Sequence, residues 1–272
     1  MSSQSFLKHS LKSFFTIAGV ALSALLTSPD LAKAGLGSDP DCPARGNSSS
    51  MSSSCFETPE VMEIEFFELG FCTSNPLATD TFSNDNCEKA WARSSGQTID
   101  LAASGYQTLS KGDTLRVIDN TYTHAYVVVG NTWGLKGKVY FNGKTYFTEA
   151  STGSVIEDES NYGKFDYTIK SMTGTEGGSD CWDYTNTTDY GPIKAVITNS
   201  SLTTATNSTT CNATSRLVGV IDLANDLTIG NSTKGYRLEW IITKMGLLAH
   251  EDGAAPSEFV AGPFVPNFTL RE

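Results

Sequence analysis

The sequence predicts an all-β protein, an antiparallel β-sandwich or jelly-roll-like domain that is stapled by disulfides. Three observations predict this fold. Residues 114–148 place β-branched and aromatic residues between turn signals, a composition typical of strands on half-buried sheets. Residues 164–170 (KFDYTIK) alternate between apolar and polar side chains, which is the period of a strand. The chain also contains six cysteines, an even number that suits a disulfide framework.

The N-terminus has the features of an export signal. Lys8 and Lys12 precede an apolar core of 13 residues at positions 14–26, and Ala-Lys-Ala at 32–34 is a small-x-small cleavage site. This core is shorter than the about 20 residues that a membrane-spanning helix needs. We therefore predict that residues 1–34 are a removed signal peptide, with an uncleaved anchor as the alternative. The expected location is secreted, extracellular or cell-surface, and a bacterial periplasm also fits.

The charge of the chain argues against two classes of partner. The full chain has a net charge of −11, and loss of residues 1–34, with three lysines and one aspartate, would change it to −13. Such an acidic chain repels nucleic acid and anionic membrane surfaces. We therefore expect no nucleic-acid partner and no stable membrane span in the mature chain.

All six cysteines follow the predicted signal peptide, as expected for disulfides in an exported chain. Sequence alone does not fix their connectivity. Short loops favour three pairs, which are Cys42 with Cys55, Cys72 with Cys87, and Cys181 with Cys211. A zinc site is the alternative, but no cysteine pair has the two-residue spacing of a zinc knuckle.

The predicted β-rich domain spans residues 61–272 and follows a polar N-terminal arm at 35–60. Its first strand is predicted at 61–71, where apolar and acidic residues alternate. Two weaker strands are predicted at 98–102 and 106–109.

Residues 114–148 are predicted to form a four-stranded antiparallel meander. The dipeptides at 119–120 and 142–143 separate its strand-like runs. The second dipeptide is Asn-Gly, which favours a type I′ turn. Residues 138–141 should therefore pair with residues 144–147 in a hairpin.

A long polar surface excursion is predicted at about 174–215, where Thr, Asn, Ser and Gly dominate and only 193–198 resembles a strand. Strand composition returns at 217–223 and 227–229, and residues 236–248 are predicted to be one core strand or a short helix. The C-terminal tail is predicted to pack across its own sandwich. Insertion of the tail into a neighbouring subunit is the alternative.

One short motif suggests chemistry. Residues 63–68 (EIEFFE) resemble the Glu-x-Asp-x-x-Glu strand of laminarinase-like β-jelly-roll glycosidases, with Glu65 in place of the aspartate. The resemblance covers these six residues and implies retaining hydrolysis by Glu63 and Glu68, since that reaction uses two carboxyls about 5 Å apart. A plain strand puts residues three apart on opposite faces, so a β-bulge between Glu65 and Glu68 is required. The simpler interpretation is a solvated acidic strand face.

Other candidates favour structural roles. His124 is predicted to share a strand face with Tyr122 and Tyr126, and no Gly-x-Ser-x-Gly motif accompanies it. Trp133 and Trp182 could stack on sugars, although buried aromatic anchors are commoner. We predict no catalytic, cofactor-binding or metal-binding residue.

Three acidic groups could supply the oxygen ligands that calcium prefers. None has the spacing of a calcium loop. The groups are Asp39 with Asp41, Glu157 with Asp158 and Glu159, and Asp180 with Asp183.

Seven Asn-x-Ser/Thr sequons occur, which would be glycan sites in a eukaryotic secreted protein. In a bacterial protein they would indicate only a hydrophilic surface. They begin at Asn47, Asn186, Asn199, Asn207, Asn212, Asn231 and Asn267.

These observations favour a non-enzymatic structural or assembly protein of the cell surface or extracellular space. Its expected partners are copies of itself, bound through strand edges or terminal arms, or another surface component. The second hypothesis is a secreted carbohydrate-binding, lectin-like module, with or without calcium. The third is a glycosidase that uses Glu63 and Glu68.

Overall fold

The computed structural model describes residues 42, 54–105, 107–109, 115–170, 184–188, 190–251 and 255–271, all within one compact unit, Lys33–Glu272. Several predicted features lie outside the described residues. They are the signal peptide, most of the N-terminal arm, and Asp39, Asp41, Asn47, Asp180, Cys181, Trp182 and Asp183.

The described part is built almost entirely from strands. They are β1 (Cys55–Glu57), β2 (Val61–Cys72), β3 (Cys87–Asp100), β4 (Asn120–Gly130), β5 (Thr132–Lys136), β6 (Lys138–Phe141), β7 (Lys144–Thr148), β8 (Val155–Ile156), β9 (Phe165–Thr168), β10 (Tyr184–Thr188), β11 (Gly191–Thr198), β12 (Arg216–Ile229), β13 (Gly235–Ile241), β14 (Leu247–Glu251), β15 (Pro256–Ala261) and β16 (Val265–Arg271). A 3₁₀ turn spans Glu159–Asn161, and a helix of one turn, α1, spans Ser208–Cys211.

Eight strands form the main sheet, in which every pairing is antiparallel. The order is β10-β11-β12-β4-β2-β5-β9, and β3 pairs with the other edge of β2. The edge of β2 that faces away from β3 is shared, because β4 pairs with residues 66–72 and β5 with residues 61–63. β2 is therefore the central strand of the sheet.

The chain passes from β4 to β5 at Asn131, a buried residue with 4% exposure. Its Nδ2 donates to the carbonyl oxygen of Ile169 and to the hydroxyl oxygen of Thr214, both at 3.2 Å. The indole N–H of Trp133 donates to the carbonyl oxygen of Gly130 at 2.8 Å. Buried polar groups need such partners. These bonds fix the residue at which the chain leaves β4, which pairs with β12, and enters β5, which pairs with β9.

Three smaller antiparallel sheets complete the fold, with the orders β1-β14-β15, β6-β7-β8 and β13-β16. The β13–β16 pair packs on the main sheet through aromatic rings. The ring centre of Phe71 on β2 lies 4.9 Å from that of Tyr236 and 5.9 Å from that of Phe268. The ring centres of Trp133 and Phe264 are 5.2 Å apart. The main core lies between these layers. The predicted all-β, sandwich-like and disulfide-bonded fold is confirmed.

The outer face of the main sheet, opposite the main core, carries a second apolar cluster. The disulfide between Cys72 and Cys87 joins the end of β2 to the start of β3, with Cα atoms 4.0 Å apart, and closes the loop 73–86. Phe82 of this loop is buried, and its ring lies 5.4 Å from that of Tyr126 on β4. The loop therefore covers the apolar part of the outer face.

The short-loop prediction of disulfides is confirmed for two pairs. Besides Cys72 with Cys87, Cys42 is bonded to Cys55 with a Cα separation of 4.7 Å. Cys211 is disulfide-bonded as well, and its predicted partner Cys181 lies outside the described residues.

Predictions that depend on local pattern are confirmed. The hairpin of β6 and β7 has the expected register, with Phe141 opposite Lys144. Asn142 and Gly143 both have positive φ angles, 47° and 77°, as a type I′ turn requires. The strand predicted at 61–71 is β2, and the one predicted within 164–170 is β9.

The predicted four-stranded meander is wrong. β4 and β5 pair with β2, while β6 and β7 belong to another sheet, and residues 115–118 are not in a strand. β4 lies inside the main sheet between β2 and β12, so both of its partners come from distant parts of the chain. Residues 236–248 form two strands, β13 and β14, separated by a turn at Gly246 with a φ angle of 83°.

Part of the predicted excursion belongs to the main sheet. β10 and β11 form a hairpin, and β11 pairs with β12, whereas residues 199–215 form a loop that contains α1. Of the predicted strand 98–102, residues 98–100 form the end of β3. Residues 107–109, predicted as part of another strand, are not in a strand.

The C-terminal tail forms β16, which pairs with β13 of its own chain. No helix within the described ranges is long and apolar enough to cross a membrane.

Candidate functional site

A β-bulge in β2 brings three glutamates to one face of the main sheet. In the pairing of β2 with β4, Phe66 lies opposite Val129 and Glu68 lies opposite Val128, so Phe67 is the extra residue. Apolar residues on both sides of the bulge point into the main core. Glu63 and Glu65 before the bulge and Glu68 after it therefore all lie on the outer face. The bulge that the glycosidase resemblance requires is present.

Glu68 is the buried member of this set, with 8% exposure. Its Oε2 accepts a hydrogen bond from Lys89 Nζ at 2.7 Å, and its Oε1 accepts one from the Tyr126 hydroxyl at 2.6 Å. Burial, together with the bond to Glu68, raises the pKa of Tyr126, so the phenol remains a donor. Both oxygens of Glu68 are occupied.

Glu63 lies beside a glycine of the neighbouring strand. It is opposite Gly134 on β5, and Gly134 is opposite Asp166 on β9. Lys164 forms an ion pair with Glu63, and a Cβ atom at position 134 would lie 3.0 Å from the Lys164 side chain and 3.2 Å from Glu63 Oε2. The glycine thus leaves space for the two charged groups. Their side chains are 35% and 43% exposed, so the ion pair is open to solvent.

Glu65 lies in a second row of the same kind. Gly130 on β4 is opposite Arg216 on β12, and a Cβ atom at position 130 would lie 3.6 Å from Cβ of Glu65. On the other side, a Cβ atom at Gly96 would overlap the Glu65 carboxyl group. The Arg216 guanidinium lies 3.4 Å from the centre of the Phe67 ring. Burial lowers the pKa of Arg216, and the Glu65 carboxylate opposes this shift.

We call these two rows and their neighbours the polar platform. Thr132 and Thr168, both exposed, add hydroxyl groups 2.9 Å apart. The polar platform consists of Glu63, Glu65, Gly130, Thr132, Gly134, Lys164, Asp166, Thr168 and Arg216. The predictions from sequence identified the glutamates but not their cationic partners.

The polar platform continues into an open cleft of about 370 Å³ at the β9 edge. Asp166 and Thr168 belong to both, and Ser257 and Glu258 of β15 line the far side of the cleft. Carboxylates accept hydrogen bonds, ammonium and guanidinium groups donate them, and hydroxyls do both. The combined surface can therefore bind a ligand rich in hydroxyl groups.

His124 is half-buried at the other end of β4. Its Nδ1 lies 2.7 Å from the Thr123 hydroxyl oxygen, and its Nε2 lies 3.7 Å from Asp222 Oδ1. The prediction that His124 shares one strand face with both Tyr122 and Tyr126 is wrong in part. Tyr122 belongs to the main core, whereas Tyr126 belongs to the second apolar cluster on the outer face. A register irregularity next to His124 in the β12–β4 pairing accounts for the change of face.

The buried position of His124 predicts a pH-dependent stability. Burial lowers the pKa of His124, and Asp222 and Asp226 oppose this shift. In the unfolded chain the pKa of His124 is about 6.5, so the unfolded state binds a proton more readily than the folded state. The free energy of unfolding should be constant above that value and fall as the pH drops from 6.5 towards the lower folded pKa. Urea unfolding at pH 7.5 and 5.5 checks this, and His124→Gln should reduce the difference.

A His250→Gln variant, which keeps His124, is the control for this measurement and should retain the pH dependence. Equal pH dependence in the His124→Gln variant and the parent protein would contradict the assignment.

The other sequence candidates do not form a site among the described residues. Glu157 forms an ion pair with Lys144, and Asp158 caps the 3₁₀ turn by accepting from the Ser160 amide. Across the described ranges, no group of three or more His, Cys, Asp or Glu side chains could hold a metal ion. Trp133 is 3% exposed, so it is a buried anchor and not a sugar-stacking surface.

Comparison with known proteins does not place the chain in a family. No family model matches it, and no curated protein or solved structure is significantly similar to it.

Proposed function

We propose that this is an exported extracellular protein that binds a polysaccharide on the polar platform without cleaving it. The observation that carries this proposal is the pair of partly exposed carboxylates, Glu63 and Glu65, each beside a glycine and near a cation. Glu63 pairs with Lys164, and Glu65 lies near Arg216. The two disulfides suit an oxidising compartment outside the cytoplasm.

A polysaccharide is the ligand class because it is extended, uncharged or weakly charged, and rich in hydroxyl groups. Each row of the polar platform crosses three strands, with a polar side chain on either side of a glycine. Because neighbouring strands lie about 4.8 Å apart, the polar groups at the two ends of a row are about 10 Å apart across the sheet. The cleft at the β9 edge lengthens this surface by further hydroxyl and carboxyl groups. Hydrogen bonds to charged groups are worth about twice those between neutral groups, which compensates for the lack of exposed tryptophan among the described residues.

Binding is favoured over hydrolysis by the state of Glu68. A retaining glycosidase needs two accessible carboxyls about 5 Å apart, one of which must give a proton to the leaving group. Glu68 is buried, and its two oxygens accept hydrogen bonds from Lys89 and Tyr126. A substrate would have to displace these partners, so we propose a non-enzymatic role.

Self-association is not part of this proposal. β16, the strand formed by the C-terminal tail, pairs along its whole length with β13 of the same chain, and Phe268 is buried. Exchange of this arm between copies would first require that pairing to be broken.

The test is binding of the purified mature chain, residues 35–272, to a panel of neutral and uronic-acid polysaccharides by affinity electrophoresis and calorimetry. We expect Glu63→Gln and Glu65→Gln each to weaken binding at least about tenfold, or about 1.4 kcal/mol. The matched control is Glu157→Gln, which breaks an exposed ion pair with Lys144 outside the polar platform and should leave affinity within about twofold.

Three results would overturn the proposal. They are absence of binding across the panel, equal loss in the control variant, and cleavage of a bound polysaccharide by the parent protein. Sedimentation of the same sample distinguishes the assembly hypothesis, because the proposal expects monomers and that hypothesis expects concentration-dependent oligomers.

A further inference from the structure

The sequons of the chain are not equivalent in the folded protein. Of the seven, Asn47 lies outside the described residues, as does the side chain of Asn186. The other five occupy three kinds of position: exposed turns, a paired strand, and turns that the asparagine side chain itself holds by hydrogen bonds.

Asn212 and Asn231 are exposed turn residues. Asn212 follows α1, directly after the disulfide-bonded Cys211. Asn231 lies in the turn between β12 and β13, which is closed by the Thr233 amide donating to the Gly230 carbonyl oxygen at 3.0 Å. Neither side-chain amide makes a hydrogen bond to another described residue. Both can carry a bulky substituent into solvent without loss of a contact.

Asn267 is the opposite case. It lies within β16, opposite Glu239 of β13, and its Nδ2 donates to Glu239 Oε2 at 3.2 Å. Its neighbours in the strand, Pro266 and Phe268, are buried. Asn267 itself is half-buried, and a glycan on this nitrogen would compete for space with the Glu239 carboxylate and disturb this cross-strand hydrogen bond.

Asn199 and Asn207 are intermediate. The side-chain oxygen of Asn199 accepts from the backbone amides of Ser201 and Thr203, and that of Asn207 accepts from the Thr210 amide. These side chains hold turns of the loop 199–215, so we leave them out of the inference.

We propose that Asn212 and Asn231 are N-glycosylation sites and that Asn267 is not one. The donor class is an oligosaccharide linked to a polyprenyl pyrophosphate. Nδ2 of asparagine forms a bond to the anomeric carbon of the first sugar, and the bond from that carbon to the phosphate oxygen breaks. The polyprenyl pyrophosphate leaves with the bonding electrons, an amide proton passes to a base, and nothing is oxidised or reduced. This inference is independent of the polar platform.

The two sites flank β12, since Asn212 precedes Arg216 and Asn231 follows Ile229. From Arg216 to Ile229, β12 pairs with the 11 residues of β4, a span of roughly 35 Å at about 3.3 Å per residue. The glycans would therefore stand near opposite ends of the main sheet.

The test is secretion of the full chain from a eukaryotic host, followed by peptide mapping after enzymatic release of N-glycans in ¹⁸O-water, which marks each occupied asparagine. A second form, with a host leader in place of residues 1–34, ensures secretion. We expect label at Asn212 and Asn231 and none at Asn267. The variants Asn212→Gln and Asn231→Gln should each lower the intact mass by one glycan, while Asn267→Gln should not. An unlabelled Asn212 or Asn231, or a labelled Asn267, would overturn the inference.

Discussion

Replacement of Phe71 by alanine should lower the free energy of unfolding by about 3–5 kcal/mol, the range for removal of a buried phenylalanine. Phe71 is completely buried in β2. Its ring lies 4.9 to 6.0 Å from the rings of Tyr122, Tyr236 and Phe268. The cavity would therefore remove contacts between the main sheet and the β13–β16 pair. Urea unfolding followed by far-UV circular dichroism measures the loss.

The control for this substitution is Tyr140→Ala on β6, because Tyr140 is 41% exposed. Surface substitutions of this kind change stability by about 0.5 kcal/mol or less. Similar losses in the two variants would contradict the assignment of Phe71 to the core between the layers.

The double variant Cys72→Ser/Cys87→Ser should lose about 3 kcal/mol, the value expected when a crosslink across about 15 residues no longer restricts the unfolded chain. A local effect should accompany this loss. Phe82 in the loop 73–86 covers Tyr126 on the outer face, and without the disulfide this loop should open more often. Limited proteolysis should then cut within 73–86 under conditions that leave the parent protein intact.

The Cys42→Ser/Cys55→Ser variant is the control, since it removes a disulfide of similar loop length and keeps the loop 73–86 closed. It should not expose that loop to protease. Resistance of the loop in both variants would mean that its apolar contacts hold it without the crosslink.

Elements defined by neighbouring residues could be predicted from sequence. The β6–β7 hairpin follows from Asn142 and Gly143, whose positive φ angles are those that its turn needs. β2 and β9 follow from the alternation of apolar and polar residues. In each case the information lies within about ten residues of the chain.

Elements defined by distant partners could not be predicted. Nothing near β4 and β5 in sequence indicates that both pair with β2, which ends 48 residues before the first residue of β4. β10 (YTNTT) lies within a stretch rich in Thr, Asn, Ser and Gly, and its strand character depends on its pairing with β11. Strand propensity depends on such context.

The candidate site could likewise be predicted only in part. The three glutamates of β2 could be identified from sequence, and the bulge could be stated as a requirement. The cations Lys164 and Arg216 could not be identified, because their positions depend on the pairing of β5 with β9 and of β4 with β12. Gly130 and Gly134 carried a weak signal, since glycine within a strand-like run indicates a bulge or a close approach.

The central position of β2 has a consequence for the biogenesis of the protein. The residues that cover the Phe71 ring, Tyr236 and Phe268, lie more than 160 residues downstream of it and are synthesised much later. Until then the growing chain has an uncovered aromatic surface that favours aggregation. The core around Phe71 is therefore complete only when β13 and β16 are able to pair.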